Sequence, residues 1–176
     1  RSRRRSDYHH VMAVEWDAIV VGAGIVGCAV GRELARRGKR TAIVEARGVA
    51  GGATQASAGI LAPYIEAPDG GPLHDLTVRS LGMYGGFIAD LERETSQRIE
   101  YRVCGSLEVA GSDAERGRLV ALAGALGREG VDARWLDPSA ARALEPQLGT
   151  IAGALHVPAH GYVVVAQLAQ TLMESA

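Results

Sequence analysis

The chain has only two cysteines, Cys28 and Cys104, which lie far apart and outside any metal-ligand spacing. That excludes a disulfide framework and a cysteine-based zinc site. Two free thiols fit a reducing compartment, so a cytoplasmic location is expected. Net charge is also small, −1 over 176 residues, which argues against a nucleic-acid partner. No run has the unbroken apolar length of a bilayer span, so no membrane partner is expected. The sequence contains no nucleophile elbow and no paired catalytic carboxylates. His74, His156 and His160 are scattered with no carboxylate pairing and read as surface or structural residues. No metal is expected, no catalytic residue can be named, and the chemistry is left to an organic cofactor.

The only basic cluster is "RSRRRS" at Arg1–Ser6. Residues 1–13 read as a disordered or mis-assigned leader, with Met12 as the expected translation start. Arg4-Arg5 is similar to a twin-arginine signal. The apolar stretch after it is broken by Glu15 and Asp17 and runs into a glycine motif, so export is not expected.

The strongest signal is "DAIVVGAGIVGCAVGRELARRGKRTAIVEA". Asp17–Val21 reads as a short buried strand, and Gly22-Ala23-Gly24-Ile25-Val26-Gly27 is G-x-G-x-x-G. A helix follows, with Ile25, Cys28, Ala29, Leu34 and Ala35 toward the sheet and Arg32, Glu33, Arg36 and Arg37 toward water. Gly38 is a helix stop, and Thr41–Glu45 a second strand. The spacing has physical causes. Gly22 makes the tight turn, Gly24 lets a pyrophosphate approach the backbone, and Gly27 lets the helix pack on the strand. The helix N-terminus offers N–H groups and its positive dipole end to phosphate. Glu45 stands where an acid accepts hydrogen bonds from ribose hydroxyls and repels a 2′-phosphate. The motif by itself admits NAD or FAD.

The loop after it favours FAD. "ARGVAGGATQASAGILAP" follows Glu45 where a simple NAD domain would start another helix–strand unit. Ala46, Ala53, Thr54, Ala58 and their neighbours offer short side chains, backbone donors and a few polar groups. Gly59-Ile60-Leu61 ends the loop with an apolar edge. Such a surface suits the phosphate, the ribityl chain and the ring edge of a long cofactor.

With these motifs the sequence resembles the FAD-dependent D-amino-acid oxidase superfamily, and within it the glycine oxidase branch linked to thiamine biosynthesis. Further matching segments are "YRVCGSLEVA", "ARWLDPSAARALEPQLG" and "GALHVPAHGYVVVAQLAQTL". The likeness runs from Ala13 to Met173. It implies an α/β, Rossmann-like FAD-binding domain of the D-amino-acid oxidase and glutathione reductase type, with the start of a mixed α+β substrate domain. Gly22, Gly24, Ile25, Val26, Gly27, Glu45, Ala46, Ala53, Thr54, Ala58, Gly59 and Ile60 are the expected FAD contacts. The expected partners are a small amine or amino acid and O2, and a homo-oligomer is admissible. The expected reaction is oxidative deamination. Val164 and Val165 stand where the family has Asp-Pro. Family members run to roughly twice this length, so the chain reads as an N-terminal fragment whose substrate-holding half is absent. A truncated, inactive nucleotide-binding module is the alternative, as is a sarcosine oxidase or glycerol-3-phosphate dehydrogenase type of flavoenzyme.

The expected division is a leader at 1–13, a βαβ unit with the flavin loop at 14–72, inserted helices and strands at 73–160, and a returning helix at 161–176. Leu73–Glu94 reads as a helix with a break near Gly85-Gly86, and Ile99–Ala110 as one or two strands bent at Cys104-Gly105. Ser112–Arg128 reads as a helix with a Ser112/Glu115 capping box, ended by Gly130. Asp137-Pro138 starts a short helix, and Ile151–Val157 is a strand.

Overall fold

The computed structural model describes residues 15–68 and 70–176, and the basic leader lies outside them. The chain begins with strand β1 (Ala18–Val21), helix α1 (Ile25–Arg36) and strand β2 (Thr41–Val44). It continues through α2 (Ala53–Ala56), β3 (Ile60–Leu61), α3 (Pro63–Glu66) and the long α4 (Pro72–Thr95). Then come β4 (Tyr101–Val103), β5 (Ser106–Ala110), α5 (Asp113–Arg128), β6 (Arg134–Leu136) and α6 (Pro138–Leu144). It ends with β7 (Gly153–Val157), β8 (Gly161–Val163) and α7 (Val165–Glu174).

β1 and β2 pair in parallel, from Ala18 opposite Thr41 to Val21 opposite Val44, as a βαβ crossover requires. The other strands form two antiparallel sheets, ordered β3-β8-β4 and β5-β7-β6. The bend at Gly105, with φ +78°, therefore does more than kink one strand. It passes the chain from one sheet to another, with β4 on β8 and β5 on β7.

Two apolar cores form. Cys28, Ile88, Leu91, Leu168 and Leu172 join α1, α4 and α7, and Leu119, Leu155 and Val157 join α5 to β7. The parallel pair is covered on one face only. α1 packs against it, while Ile19 and Val21 on the other side are 62% and 86% exposed. Among the described residues no helix is long and apolar enough to cross a membrane.

Local cap chemistry follows the sequence. Ser112 Oγ accepts from the Glu115 N–H, and Glu115 Oε2 accepts from the Gly111 N–H. Asp137 Oδ1 accepts from the Ala140 N–H at 2.8 Å.

Three expectations are corrected. Arg32 is only 3% exposed; it does not face water. Its guanidinium pairs with Glu94 at 2.7 Å, donates to Ser175 Oγ at 2.9 Å and lies over the Phe87 ring. Burial is tolerated because the charge is paired and hydrogen-bonded. α4 does not break at Gly85-Gly86. Those glycines face open space, while Ile88 and Leu91 anchor the helix beyond them. Residues 161–176 begin with strand β8 before the helix starts. Val164, in place of an acid, gives α7 no side-chain cap, but its N–H is satisfied by the Glu100 carbonyl at 2.9 Å.

Candidate cofactor site

The site is built on the turn between β1 and α1. Gly22 has φ +102°, a region that residues with a Cβ avoid. A Cβ on Gly27 would lie 1.9 Å from the Gly22 carbonyl oxygen, so only glycine lets α1 seat against the turn. Gly24 is the N-cap, in extended conformation and with no side chain to cap the helix. Ile25 donates its N–H to Thr54 Oγ1 at 3.0 Å. Among the described residues, the N–H groups of Gly24, Val26 and Gly27 have no protein acceptor. Three unspent donors at the positive end of a 12-residue helix are what a phosphate needs.

Glu45 directly follows β2 and reaches back to this turn. Its Oε2 accepts from the Ala23 N–H at 2.9 Å and its Oε1 from the Arg47 N–H at 2.8 Å. These two donors hold its carboxyl below the usual carboxylate range. It is therefore ionised at neutral pH, and each oxygen keeps a lone pair for a hydroxyl donor.

The loop beyond splits into two kinds of residue. Ala46, Ala53 and Ala58 are exposed and Thr54 half-buried, giving a shallow surface of small groups beside the helix terminus. Gly59 is buried with φ +70°, and a Cβ there would lie 1.9 Å from the Val163 carbonyl. Its need for glycine comes from close approach to β8. Ile60 next to it is 64% exposed. The structure thus brings Gly22, Gly24, Ile25, Gly27, Glu45 and Thr54 into one hydrogen-bonded or packed cluster. It leaves Val26, Ala46, Ala53, Ala58 and Ile60 on the surface around them.

Sequence reasoning missed the other wall. A groove of about 550 Å³ runs between the loop and the β8–α7 junction, with Arg47 and Gln55 on one side and Tyr162 and Val164 on the other. No local signal marked Tyr162 and Val164, because β8 reaches the loop only by pairing with β3. The Tyr162 hydroxyl donates to Glu100 Oε1 at 2.6 Å.

A glycine turn opening a helix, an acid after the second parallel strand and a small-residue surface beyond define a dinucleotide-binding α/β unit. The family comparison specifies the kind. The family model described as FAD-dependent oxidoreductase (DAO) matches residues 17–176, and the chain belongs to that family. Its cofactor is FAD, and the free N–H groups and the ionised Glu45 fit that cofactor's phosphates and ribose. The chain is 30% identical over 167 residues to glycine oxidase of Geobacillus kaustophilus, a match spanning 94% of this chain and 44% of that protein. It is 32% identical over 163 residues to the bifunctional protein ThiO/ThiG of Synechocystis, covering 91% of this chain and 23% of the relative. The crystal structure of the Geobacillus glycine oxidase superposes with a TM-score of 0.87 at 30% identity, over 91% of this chain and 44% of that one. The chain therefore spans less than half the length of these relatives.

Proposed function

We propose that this protein takes part in the oxidation of a small amino acid or amine by a glycine oxidase-like route, with these 176 residues supplying the FAD-binding part. Bound FAD would supply the two-electron oxidation of the substrate amine to an imine, with O2 as the final electron acceptor giving peroxide. This chain's own residues bind and orient. The N–H groups of Gly24, Val26 and Gly27 take the pyrophosphate, and the Glu45 carboxylate takes the adenosine ribose hydroxyls. Ala46, Ala53, Thr54, Ala58 and Ile60 form the surface along which the rest of the cofactor lies, while the buried Gly59, expected as a contact, instead holds the loop against β8. The likeness to ThiO/ThiG supports a role in supplying an imine for thiazole formation.

The observation that carries this reading is the Glu45 carboxylate held against the glycine turn by the Ala23 N–H. The test is a fluorescence titration of the protein with FAD, repeated on Glu45→Ala. Loss of a charge-assisted acceptor predicts at least about tenfold weaker binding. Equal affinity would remove Glu45 from the site, and no FAD binding would overturn the reading. Amine-dependent peroxide production separates the two functional readings. FAD retained without turnover assigns cofactor binding alone to these residues, as the span of less than half the relatives' length would explain.

A further inference from the structure

Residues 106–157 pack as a unit of their own. Strands β5, β6 and β7 and helices α5 and α6 lie chiefly against one another, around the core of Ala110, Leu119, Leu155 and Val157. The chain enters this unit at Cys104-Gly105, between β4 and β5, and leaves it at residues 158–160, between β7 and β8. Both crossings meet at His160. Its carbonyl accepts from the Cys104 and Gly105 N–H groups at 3.2 and 2.9 Å, and its Nδ1 shares a hydrogen bond with Ser106 Oγ at 2.7 Å. Among the described residues this is the one side-chain hydrogen bond between the unit and the rest of the chain, and no ion pair joins them. The apolar contact is also narrow. Tyr64 and Ile65 of α3 pack on the unit's core, and the Tyr64 ring stacks on His160.

Two crossings side by side allow rotation about the line through them, and parts joined through little apolar area move by default. Gly105, at φ +78°, is free to absorb the change in backbone angle. What holds the unit is a fully buried imidazole. The titratable groups around it are Tyr64 of α3, with His74 of α4 behind at 6.0 Å ring to ring, Cys104 at the first crossing, and His156 of β7, which lies against Gly105. None is a carboxylate, and burial alone lowers the His160 pKa to about 4. The neutral ring suits the closed arrangement because Nδ1 is paired. A second proton places a charge in a buried site and an N–H on Nε2, which has no acceptor among the described residues. Moving the unit off α3 hands both to water.

We propose that His160 is a proton-operated pin: neutral, it locks residues 106–157 against α3, and protonated, it releases them to swing about the crossings at 104–105 and 158–160. The swing bares Tyr64 and Ile65, directly after the loop assigned to FAD. The pin does not rest on the oxidase reading.

The test is amide hydrogen exchange of the full chain, read residue by residue by NMR at low urea concentrations, at pH 6.5 and 4.5, with rates corrected for intrinsic exchange. The Cys104 and Gly105 amides report the crossings, and those of Cys28 and Leu119 the two cores. The crossing amides should exchange through an opening with a shallower urea dependence than the cores, because less surface is exposed than in global unfolding. Their protection should fall at least about tenfold from the higher pH to the lower. His160→Phe keeps a ring on Tyr64 and retains His74 and His156, so the pH dependence should vanish there. Ser106→Ala leaves the imidazole but removes its bond, and should lower protection of the crossings at both pH values. A urea slope at Cys104 and Gly105 equal to that of the cores would overturn the hinge. An undiminished pH dependence in His160→Phe, or unchanged protection in Ser106→Ala, would overturn the pin.

Discussion

His160 makes a measurable demand on pH. Its side chain is fully buried. Nδ1 shares a hydrogen bond with Ser106 Oγ at 2.7 Å, the ring stacks on Tyr64 with centroids 5.5 Å apart, and Nε2 has no partner among the described residues. Nothing there stabilises a second proton, and burial lowers the imidazole pKa from 6.5 to about 4. Between those values the unfolded chain binds a proton at this site that the folded chain refuses. Stability is therefore full above pH 6.5, declines as pH falls, and has lost its whole share below about 4. That share is about 3 kcal/mol. Glu45, Glu94 and Glu115 have carboxyls lowered from 4.5, so their losses begin at and below that value. From pH 6.5 to 4.5 the histidine therefore accounts for most of the loss. Urea unfolding across this interval should show the midpoint falling by about 1 M. His160→Phe keeps the stack on Tyr64 and removes the titration, so its midpoint should stay nearly level over the same interval. Parallel pH curves for the two proteins would refute the argument.

Other perturbations test the framework of the site. Gly27→Ala should unfold the β1–α1 turn or abolish FAD binding, because its Cβ meets the Gly22 carbonyl oxygen at 1.9 Å. Gly117→Ala, where nothing lies within 4 Å, should instead raise stability by about 0.5–1 kcal/mol; thermal melts of both variants check the contrast. Arg32→Met removes the buried guanidinium from Glu94, Ser175 and Phe87. It should cost about 2 kcal/mol by chemical denaturation, and a loss below about 0.5 kcal/mol would show that the network contributes little.

Several features were legible because their causes are local. The glycine turn, α1, β2 and Glu45 lie within one short stretch, so residue spacing reports their geometry directly. The caps at Ser112 and Asp137 are hydrogen bonds to residues three positions on, within reach of any local reading. Arg32 was misread because its partner Glu94 is 62 residues away, and a cation on a helix flank reads as solvated until its partner is known. β8 was missed because three residues carry little pattern of their own. It becomes a strand through pairing with β3 and β4.

Neighbouring residues alone specify the βαβ unit, the acid after its second strand and the small-residue loop, and through them the FAD-binding class. Those elements depend on backbone freedom, periodicity and short-range hydrogen bonds, all written into adjacent positions. Folding in three dimensions was needed to show that Thr54 accepts from the first turn of α1 and that Gly59 is pressed against β8. It also set Tyr162 and Val164 opposite the loop and brought Ser106 to the His160 ring. Each of those contacts joins residues that local spacing does not relate, so packing and strand pairing had to place them.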